Sequence, residues 1–390
     1  MRICLVYDCL FPHTVGGAER WYRNLGERLA AGGHDVTYLT LRQWDRGEDP
    51  GVPGVKVIAV GPRMPLYAGG RRRILPPVVF GLGVLWHLGR HGRRYDVVHT
   101  ASFPYFSLLV AGALRRLCRY RLVVDWHEVW SRDYWIEYLG ARAGLVGAAI
   151  QQMCVHIAQH AFCFSRLHAE RLSAAGLRGE VTVLEGEYTA TVPSPARPRA
   201  AEPVVVFAGR HIPEKRAPAV VGAVMDAARR IPGLRGVIFG DGPERGTVLR
   251  AIDDAGAQGT VSAPGFVDAE AVDTALGSAL CMLLPSRREG YGLIVVEAAS
   301  QGVPSIVVAG SDNAATELIA EGENGTVASS ADAAELGAAI VRVHHAGSAM
   351  RETTLAWYER NARRLSLEDS LARVLASYGA LADATASQSP

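Results

Sequence analysis

The sequence predicts an α/β protein of two domains, each with a parallel sheet covered by helices on both faces. Short apolar runs alternate with helical patterns along the chain, and the runs are apolar throughout rather than alternately polar. They form two successive series, one on each side of residues 189–203. Two such series predict two Rossmann-like domains, and 390 residues suit two domains of ordinary size better than one.

Predicted strands and helices alternate in both series. The strands of the first series are Arg2–Tyr7, Asp35–Leu41, Val55–Val60, Asp96–Thr100, Arg121–His127 and Ala161–Ser165. Those of the second are Val204–Ala208, Gly236–Phe239, Val261–Gly265, Leu280–Leu284 and Ser305–Val308. The helices between them include Ala18–Ala31, Pro218–Arg230 and Gly292–Gln301. No GxGxxG dinucleotide fingerprint follows the first strand, which disfavours an oxidoreductase.

Composition sets the predicted domain bounds. Residues 189–203, TATVPSPARPRAAEP, are rich in Pro and Ala and lack periodicity, so they are predicted to be a linker. The first domain then covers 1–188 and the second covers 204–365. A C-terminal helix over 366–383 is expected to return to the first domain, and 384–390 to form a frayed tail.

Cysteine usage and apolar runs predict a cytoplasmic protein. The six cysteines form no CxxC pair, and several fall inside apolar runs, as reduced core thiols do. The first residues show no signal peptide. The longest apolar run, Ile74–Leu88, is too short to span a bilayer and has two prolines near its start.

Charge is distributed unevenly along the chain. Residues 1–190 carry 23 Arg and Lys against 16 Asp and Glu, whereas the remainder carries 18 against 23. Residues 61–121 contain 11 arginines and a single acid. The sequence therefore predicts that the first domain meets an anionic membrane surface or a polyanionic acceptor. The alternative is that Ile74–Leu88 is a buried helix whose ends the arginines solvate.

The first chemical motif is Gly16–Arg20, GGAER, between the first strand and the first helix. Glycines let the backbone approach a ligand closely, and the helix start offers free N–H groups and a positive dipole end to an anion. A plain glycine turn is an equally good interpretation of this motif taken alone.

The second motif, Phe207–Arg216, opens the second domain and carries Arg210 and Lys215 in the loop before a helix. A bidentate arginine and a point-charge lysine suit a diphosphate. The chain has only two lysines, Lys56 and Lys215, so a lysine here is unlike generic surface charge. A solvated loop is the alternative.

The third motif, Pro285–Ala298, follows an apolar strand and leads through Gly290 and Gly292 into a helix, which again directs N–H groups toward an anion. Glu289 is expected in the loop and Glu297 about one turn inside the helix. Eight helical residues span about 12 Å, beyond the about 5–9.5 Å between glycosidase carboxyls. The two glutamates are therefore predicted to make separate contacts along one extended ligand.

A fourth turn, Phe239–Glu244 with the sequence FGDGPE, lies between the last two motifs. In this order and spacing, GGAER, GRHIPEK, FGDGPE and EGYGLIVVE resemble the family-4 retaining glycosyltransferases of the GT-B fold, over nearly the whole chain. The resemblance implies two Rossmann-like domains whose parallel sheets face each other across a cleft. It also implies a hexosyltransferase-type enzyme that moves a sugar from a nucleotide-diphosphate sugar with retention of configuration.

The resemblance assigns roles to single residues. Arg210 and Lys215 would hold the diphosphate and stabilise its charge as the sugar leaves. Glu289 would contact the donor-sugar hydroxyls, and Glu297 would bind the ribose. The other donor-binding positions are Gly16, Gly17, Gly290, Tyr291, Gly292 and Leu293, with tyrosine standing at position 291 where the family more often has phenylalanine.

His127 matches a family position beside the donor sugar, so it joins Glu289, Arg210 and Lys215 in the implied catalytic set. It ends a predicted strand, at the sheet edge where ligands bind in α/β proteins. A core histidine is the alternative. The sequence also leaves open whether the neighbouring aromatic residues stack on a sugar or pack in the core; they are Trp126, Trp130, Tyr134, Trp135 and Tyr138.

The sequence therefore predicts a cytoplasmic glycosyltransferase, with peripheral attachment to the inner face of the membrane left open. No metal is expected, because no DxD-type motif lies near the donor motifs, and no cofactor or nucleic-acid partner is expected either. The acceptor is unidentified, and lipid-linked, glycan and natural-product acceptors stay open. Two alternatives remain, a GT-B nucleotide-sugar epimerase and a non-catalytic nucleotide-sugar-binding protein.

Overall fold

The computed structural model describes residues 1–45, 47–68, 71–189 and 198–386. The chain forms two compact units: unit 1 contains Met1–Glu187 and the chain from Glu368 onward, and unit 2 contains Tyr188–Leu367. Most of the predicted linker 189–203 lies outside the described residues, because 190–197 belong to none of the described ranges.

Unit 1 is built on a parallel sheet. Its strands are β1 Arg2–Val6, β2 Asp35–Leu41, β3 Lys56–Gly61, β6 Val97–Ala101, β7 Arg121–Trp126, β8 Gln159–Cys163 and β9 Gly179–Val183, with a short hairpin of β4 Tyr67–Ala68 and β5 Arg71–Arg72. Its helices are α1 Gly17–Ala31, α2 Leu75–His91, α3 Tyr105–Cys118, α4 Arg132–Leu139, α5 Ala141–Val155 and α6 Arg166–Ala174, and a 3-10 turn follows α2 at Gly92–Arg94.

The seven strands lie in the order β3-β2-β1-β6-β7-β8-β9, and every pair is parallel. The strand order reverses between β1 and β6. In an open parallel sheet, such a switch point leaves a crevice at the carboxyl ends of the strands. The core side chains on one sheet face include Val6, Val98 and Val124, which share one cluster with Phe80 and Val84 of α2.

Unit 2 repeats this plan with six strands. They are β10 Val204–Ala208, β11 Arg235–Phe239, β12 Val261–Gly265, β13 Cys281–Leu284, β15 Ser305–Val308 and β17 Gly325–Ala328, and a separate parallel pair is formed by β14 Arg288–Glu289 and β16 Asp312–Asn313. The helices are α7 Pro218–Ala228, α8 Arg245–Asp254, α9 Ala269–Ser278, α10 Leu293–Ser300 and α11 Ala333–Leu365, with 3-10 turns at Pro213–Lys215 and Ala314–Leu318. The order is β12-β11-β10-β13-β15-β17, so β10 and β13 border the switch point.

The last helix, α12 Leu367–Ala386, belongs to unit 1 from Glu368 onward. The Tyr378 hydroxyl lies 2.6 Å from Nδ1 of His99, and Arg121 donates to the Tyr378 carbonyl. The helix includes residues 384–386, which the sequence assigned to a frayed tail; two of the three are alanine, the best helix former. Residues 387–390 of that tail lie outside the described residues.

The predicted strands and helices are present, with ends shifted by at most two residues, except that the C-terminal helix ends three residues later than predicted, at Ala386. The sequence missed β9 and β17, which lie at the edges of their sheets. Both begin with glycine and include threonine, because an edge strand needs less apolar content than a central one. None of the described helices is long and apolar enough to cross a membrane.

Candidate active site

The second and third motifs meet at the switch point of unit 2. The second motif follows β10, and the third follows β13, its neighbour in the sheet. Because both strands are parallel, their carboxyl ends lie at the same edge, and the two loops leave the sheet side by side. The backbone N–H of Arg287 donates to the Glu214 carbonyl at 2.8 Å and joins the loops directly.

Lys215 and Glu289 form an ion pair between these loops. Lys215 Nζ lies 2.5 Å from Oε1 of Glu289, and the hydroxyl of Ser286 donates to the same oxygen at 2.7 Å. The Glu289 side chain is buried, while that of Lys215 is partly exposed. Among the described residues, nothing donates to the second oxygen, Oε2. A carboxylate oxygen that has no donor, on a side chain that is otherwise buried, is available to a ligand hydroxyl.

Asn313 holds this glutamate in place, and the sequence analysis missed it. Glu289 lies in β14 rather than in a free loop, and it pairs with Asn313 of β16. The Asn313 amide donates to the carbonyls of Ser286 at 3.1 Å and Val308 at 2.8 Å. Ser286 lies in the third motif beside Glu289 and was also not assigned. No short-range pattern connects Asn313 to the motif, since the pairing is tertiary.

The FGDGPE turn supports the loop of Arg210 from behind. Gly240 and Gly242 have φ of 120° and 150°, and a Cβ on them would lie 1.9 Å from the Gly209 carbonyl and 2.5 Å from the His211 carbonyl. Only glycine allows both the backbone conformation and this close approach. In addition, His211 N–H donates to the Asp241 carbonyl at 2.8 Å. The FGDGPE turn therefore supports the backbone of the loop that carries Arg210.

Two groups beside the ion pair are suited to anions. The Arg210 guanidinium is exposed and bonds to no side chain of the described residues. Helix α10 begins after Gly292, whose φ is 102° and which provides no side-chain cap, so the first N–H groups of the helix keep their hydrogen-bonding capacity. Tyr291 is buried beside this helix start, and Glu297 is partly buried within α10.

The other predicted residues, Gly16, Gly17 and His127, belong to unit 1. Gly16 is the N-cap of α1, and a Cβ on it would lie 2.3 Å from Oε2 of Glu19. Gly17 has no neighbour within 4 Å of its Cβ position. The helix start is therefore uncapped by a side chain and open beside Gly17.

His127 follows β7 directly, because the strand ends at Trp126, one residue earlier than predicted. Its ring stacks on Phe164 at a centroid distance of 4.4 Å, and its Nδ1 lies 3.9 Å from a carboxylate oxygen of Glu187. Its Nε2 is buried and has no hydrogen-bond partner among the described residues. Burial lowers the pKa of His127, against the opposing charges of Asp125 and Glu128. The ring is fixed, and one nitrogen remains to bind a ligand.

Asp125 precedes this histidine by two residues, inside the predicted strand Arg121–His127, and the sequence assigned it no role. It is fully buried and accepts hydrogen bonds from Trp21 Nε1 and His99 Nε2, each at 2.7 Å. Burial alone would raise the pKa of Asp125, but the charge and hydrogen bond of His99 lower it, together with His127 and Trp21. An acid inside the apolar strand LVVDW was the available signal for a polar cluster.

The aromatic residues at the end of β7 and after it mainly pack against other side chains. Trp126, Tyr134 and Trp135 are buried, and Trp126 and Trp135 belong to the core. Trp130 is partly exposed and lies 4.6 Å from Trp135 and 5.2 Å from Tyr138 between ring centroids. Core packing is thus the outcome for three of the five rings. In the described part of the chain, no group of three His, Cys, Asp or Glu side chains is arranged to hold a metal ion.

Both units match known protein families. Residues 16–186 match the glycosyl transferase 4-like domain, and residues 193–363 match the glycosyl transferases group 1. The chain therefore belongs to the glycosyltransferases that these two family models describe. The resemblance stated from the four motifs is thereby confirmed, and glycosyl transfer is the class of reaction.

Relatives and solved structures agree with this assignment. Glycogen synthase of Mycobacterium tuberculosis is 28% identical over 364 residues, which cover 87% of this chain and 85% of that protein. A GDP-mannose-dependent alpha-(1-6)-phosphatidylinositol monomannoside mannosyltransferase of Mycolicibacterium smegmatis is 32% identical over 137 residues, covering 33% of this chain and 35% of that one.

Sucrose-phosphate synthase from Thermosynechococcus elongatus superposes with a TM-score of 0.79 at 21% identity, covering 98% of this glycosyltransferase and 99% of that chain. Anabaena HepE in complex with UDP-glucose gives 0.69 at 17% identity, covering 97% and 100%. The predicted GT-B fold is confirmed.

Proposed function

We propose that this glycosyltransferase moves a hexosyl group from a nucleotide-diphosphate sugar to an acceptor, with retention of configuration and without a metal ion. The observation that carries the proposal is the Lys215–Glu289 pair at the switch point of unit 2, with a 2.5 Å separation. It places a cation and a carboxylate oxygen that lacks a donor among the described residues at the carboxyl ends of two neighbouring strands, before a helix start. This combination matches a ligand with a diphosphate at one end and hydroxyls at the other.

The diphosphate is assigned to the positive groups of unit 2. Arg210 is exposed and unpaired among the described residues, Lys215 is partly exposed, and α10 presents its N-terminus after Gly292. As the sugar leaves, negative charge grows on the phosphate, and fixed cations stabilise it more strongly than they stabilise the bound donor. These cations would supply the neutralisation that metal ions supply elsewhere. The metal-free reaction stays a prediction.

The sugar is assigned to Glu289 and the ribose to Glu297. Oε1 of Glu289 is occupied by Lys215 and Ser286, so its Oε2 is free to accept a sugar hydroxyl. His127, Gly16 and Gly17 of unit 1 keep the donor-site roles that the family resemblance implies for them. We assign no protein nucleophile: the leaving phosphate would take the acceptor proton on the same face, and the enzyme would orient the two substrates.

Two sets of measurements test this function. A thermal-shift screen against UDP-, GDP- and ADP-sugars should find one that raises the unfolding temperature, because a ligand of the folded state stabilises it. NMR of the sugar released from that donor, before mutarotation, should show the donor's anomeric configuration, with and without EDTA. Stabilisation by no nucleotide, or an inverted product, would refute the proposal. An epimerised nucleotide sugar formed without acceptor would favour the epimerase instead.

We also propose that the enzyme acts in the cytoplasm and that unit 1 meets an anionic partner. The supporting observation is the net charge of residues 61–121, with 11 arginines and one acid. A lipid-linked acceptor agrees with this charge, and the Mycolicibacterium smegmatis relative is described as acting on phosphatidylinositol monomannoside. A polyanionic glycan is the alternative acceptor.

A further inference from the structure

Unit 1 has an exposed apolar surface formed by α2, α3 and α5. These helices pack side by side: the Cys118 thiol of α3 donates to the Leu88 carbonyl of α2, and the Cys154 thiol of α5 donates to the Tyr105 carbonyl of α3. Their inner sides share one core on the sheet. Their outer sides carry the exposed large apolar residues Ile74, Leu75, Leu82, Leu85, Trp86, Leu117, Leu145, Val146 and Met153. We call this surface the outer helical face.

Helix α2 is apolar on both sides. Phe80, Val84 and Leu88 are buried in the core, whereas Leu82 is 60% exposed and Trp86 is 67% exposed. Leu75, Leu82 and Trp86 fall on one stripe of the helix at its 3.6-residue period. One side of the helix is therefore buried, as the core interpretation of Ile74–Leu88 predicts, and the other side is exposed. Water-exposed apolar side chains clustered in this way are typical of an interaction surface.

Arginines surround this face, and acids are missing from it. Helices α2, α3 and α5 and the turn Gly92–Arg94 contain no Asp or Glu. The exposed arginines at the helix ends are Arg73, Arg90, Arg93, Arg94, Arg116, Arg119 and Arg142, and none of them forms an ion pair with a carboxylate of the described residues. Elsewhere in unit 1, arginines such as Arg23 and Arg63 are paired.

We propose that the outer helical face docks on an anionic lipid bilayer. Apolar side chains would enter the interface, with Trp86 at the level of the headgroups, while the long arginine side chains reach the lipid phosphates. A second copy of the chain is disfavoured, because two such faces would bring two rings of unpaired arginines together. The inference rests on the proposed function only where it places glycosyl transfer to the acceptor at a membrane. Binding to lipid can be measured without turnover.

Vesicle co-sedimentation tests the docking. The wild-type protein should bind vesicles of equal parts phosphatidylcholine and phosphatidylglycerol, should bind pure phosphatidylcholine far less, and should be released by salt. Arg93→Gln with Arg94→Gln should weaken binding about twenty-five-fold, at about fivefold per arginine, and reduce the salt dependence. Leu82→Ser with Trp86→Ser should weaken it at least about tenfold.

The matched control is Leu249→Ser with Phe266→Ser, which removes exposed apolar side chains from unit 2 and should bind as wild type does. Stabilisation by the nucleotide sugar should be the same in every variant, so a failure of donor binding is seen separately. The docking is refuted if the wild type does not bind anionic vesicles or if the control weakens binding as much as the other pairs. The docking is also refuted if light scattering shows that the wild type is a dimer and that the double variant Leu82→Ser with Trp86→Ser is a monomer.

Discussion

Glu187→Gln is expected to stabilise the protein at alkaline pH. Glu187 follows β9 at the end of the first chain segment of unit 1, and its side chain is only 10% exposed. Its described charged neighbours are His127, whose Nδ1 lies 3.9 Å away, and Asp125. Burial, with a smaller contribution from the charge of Asp125, raises the pKa of Glu187 to about 8.

The size of the effect follows from the two pKa values. The ordinary pKa of the group is 4.5, so between that value and about 8 the folded protein holds a proton that the unfolded chain has lost. The free energy of unfolding therefore falls as pH rises through this window, by about 1.4 kcal/mol per pH unit at most. From about pH 5 to about pH 8 the loss is about 3 kcal/mol. Glutamine keeps the shape of the side chain and cannot ionise, so it removes this loss.

The assay is urea unfolding of wild type and Glu187→Gln across this pH range. The difference in unfolding free energy should grow with pH in favour of the variant, to about 3 kcal/mol. Glu170→Gln, an exposed carboxylate on α6 of the same unit, is the control and should follow the wild type. The reasoning is wrong if both proteins show the same pH dependence or if Glu187→Gln is the less stable one at about pH 8.

Three further substitutions test unit 2. Lys215→Ala should lower kcat/KM by about 30–150-fold, because a charge-assisted phosphate contact is lost. Lys56→Ala, which changes the other lysine of the chain, should leave kcat/KM unchanged. Equal activity of the two variants would contradict the assignment. Glu289→Gln should reduce turnover far more than calorimetric affinity for the nucleoside diphosphate, and the reverse pattern would exchange the roles. Gly240→Ala should cost at least about 2 kcal/mol in urea unfolding, since its Cβ meets a carbonyl, and unchanged stability would contradict this.

The motifs were readable because each one is local. A strand followed by glycines and a helix start occupies a short stretch of sequence. GGAER, GRHIPEK and EGYGLIVVE could therefore be recognised together with the charged residues that they contain. The same locality identified FGDGPE only as another glycine turn after a strand, whereas the structure shows that Gly240 and Gly242 support the neighbouring loop. A glycine turn has one sequence signature whether a ligand or another backbone approaches it.

The sequence by itself determined the α/β class, the strands and helices, the family and the candidate residues Lys215 and Glu289, because periodicity and turn chemistry depend on near neighbours. Only the tertiary structure decided that Lys215 binds Glu289 across 74 positions of the chain, that Tyr378 reaches His99, and that α2 has an exposed apolar side. Contacts between distant segments depend on how the sheets are ordered, and strand order leaves no local trace in the sequence.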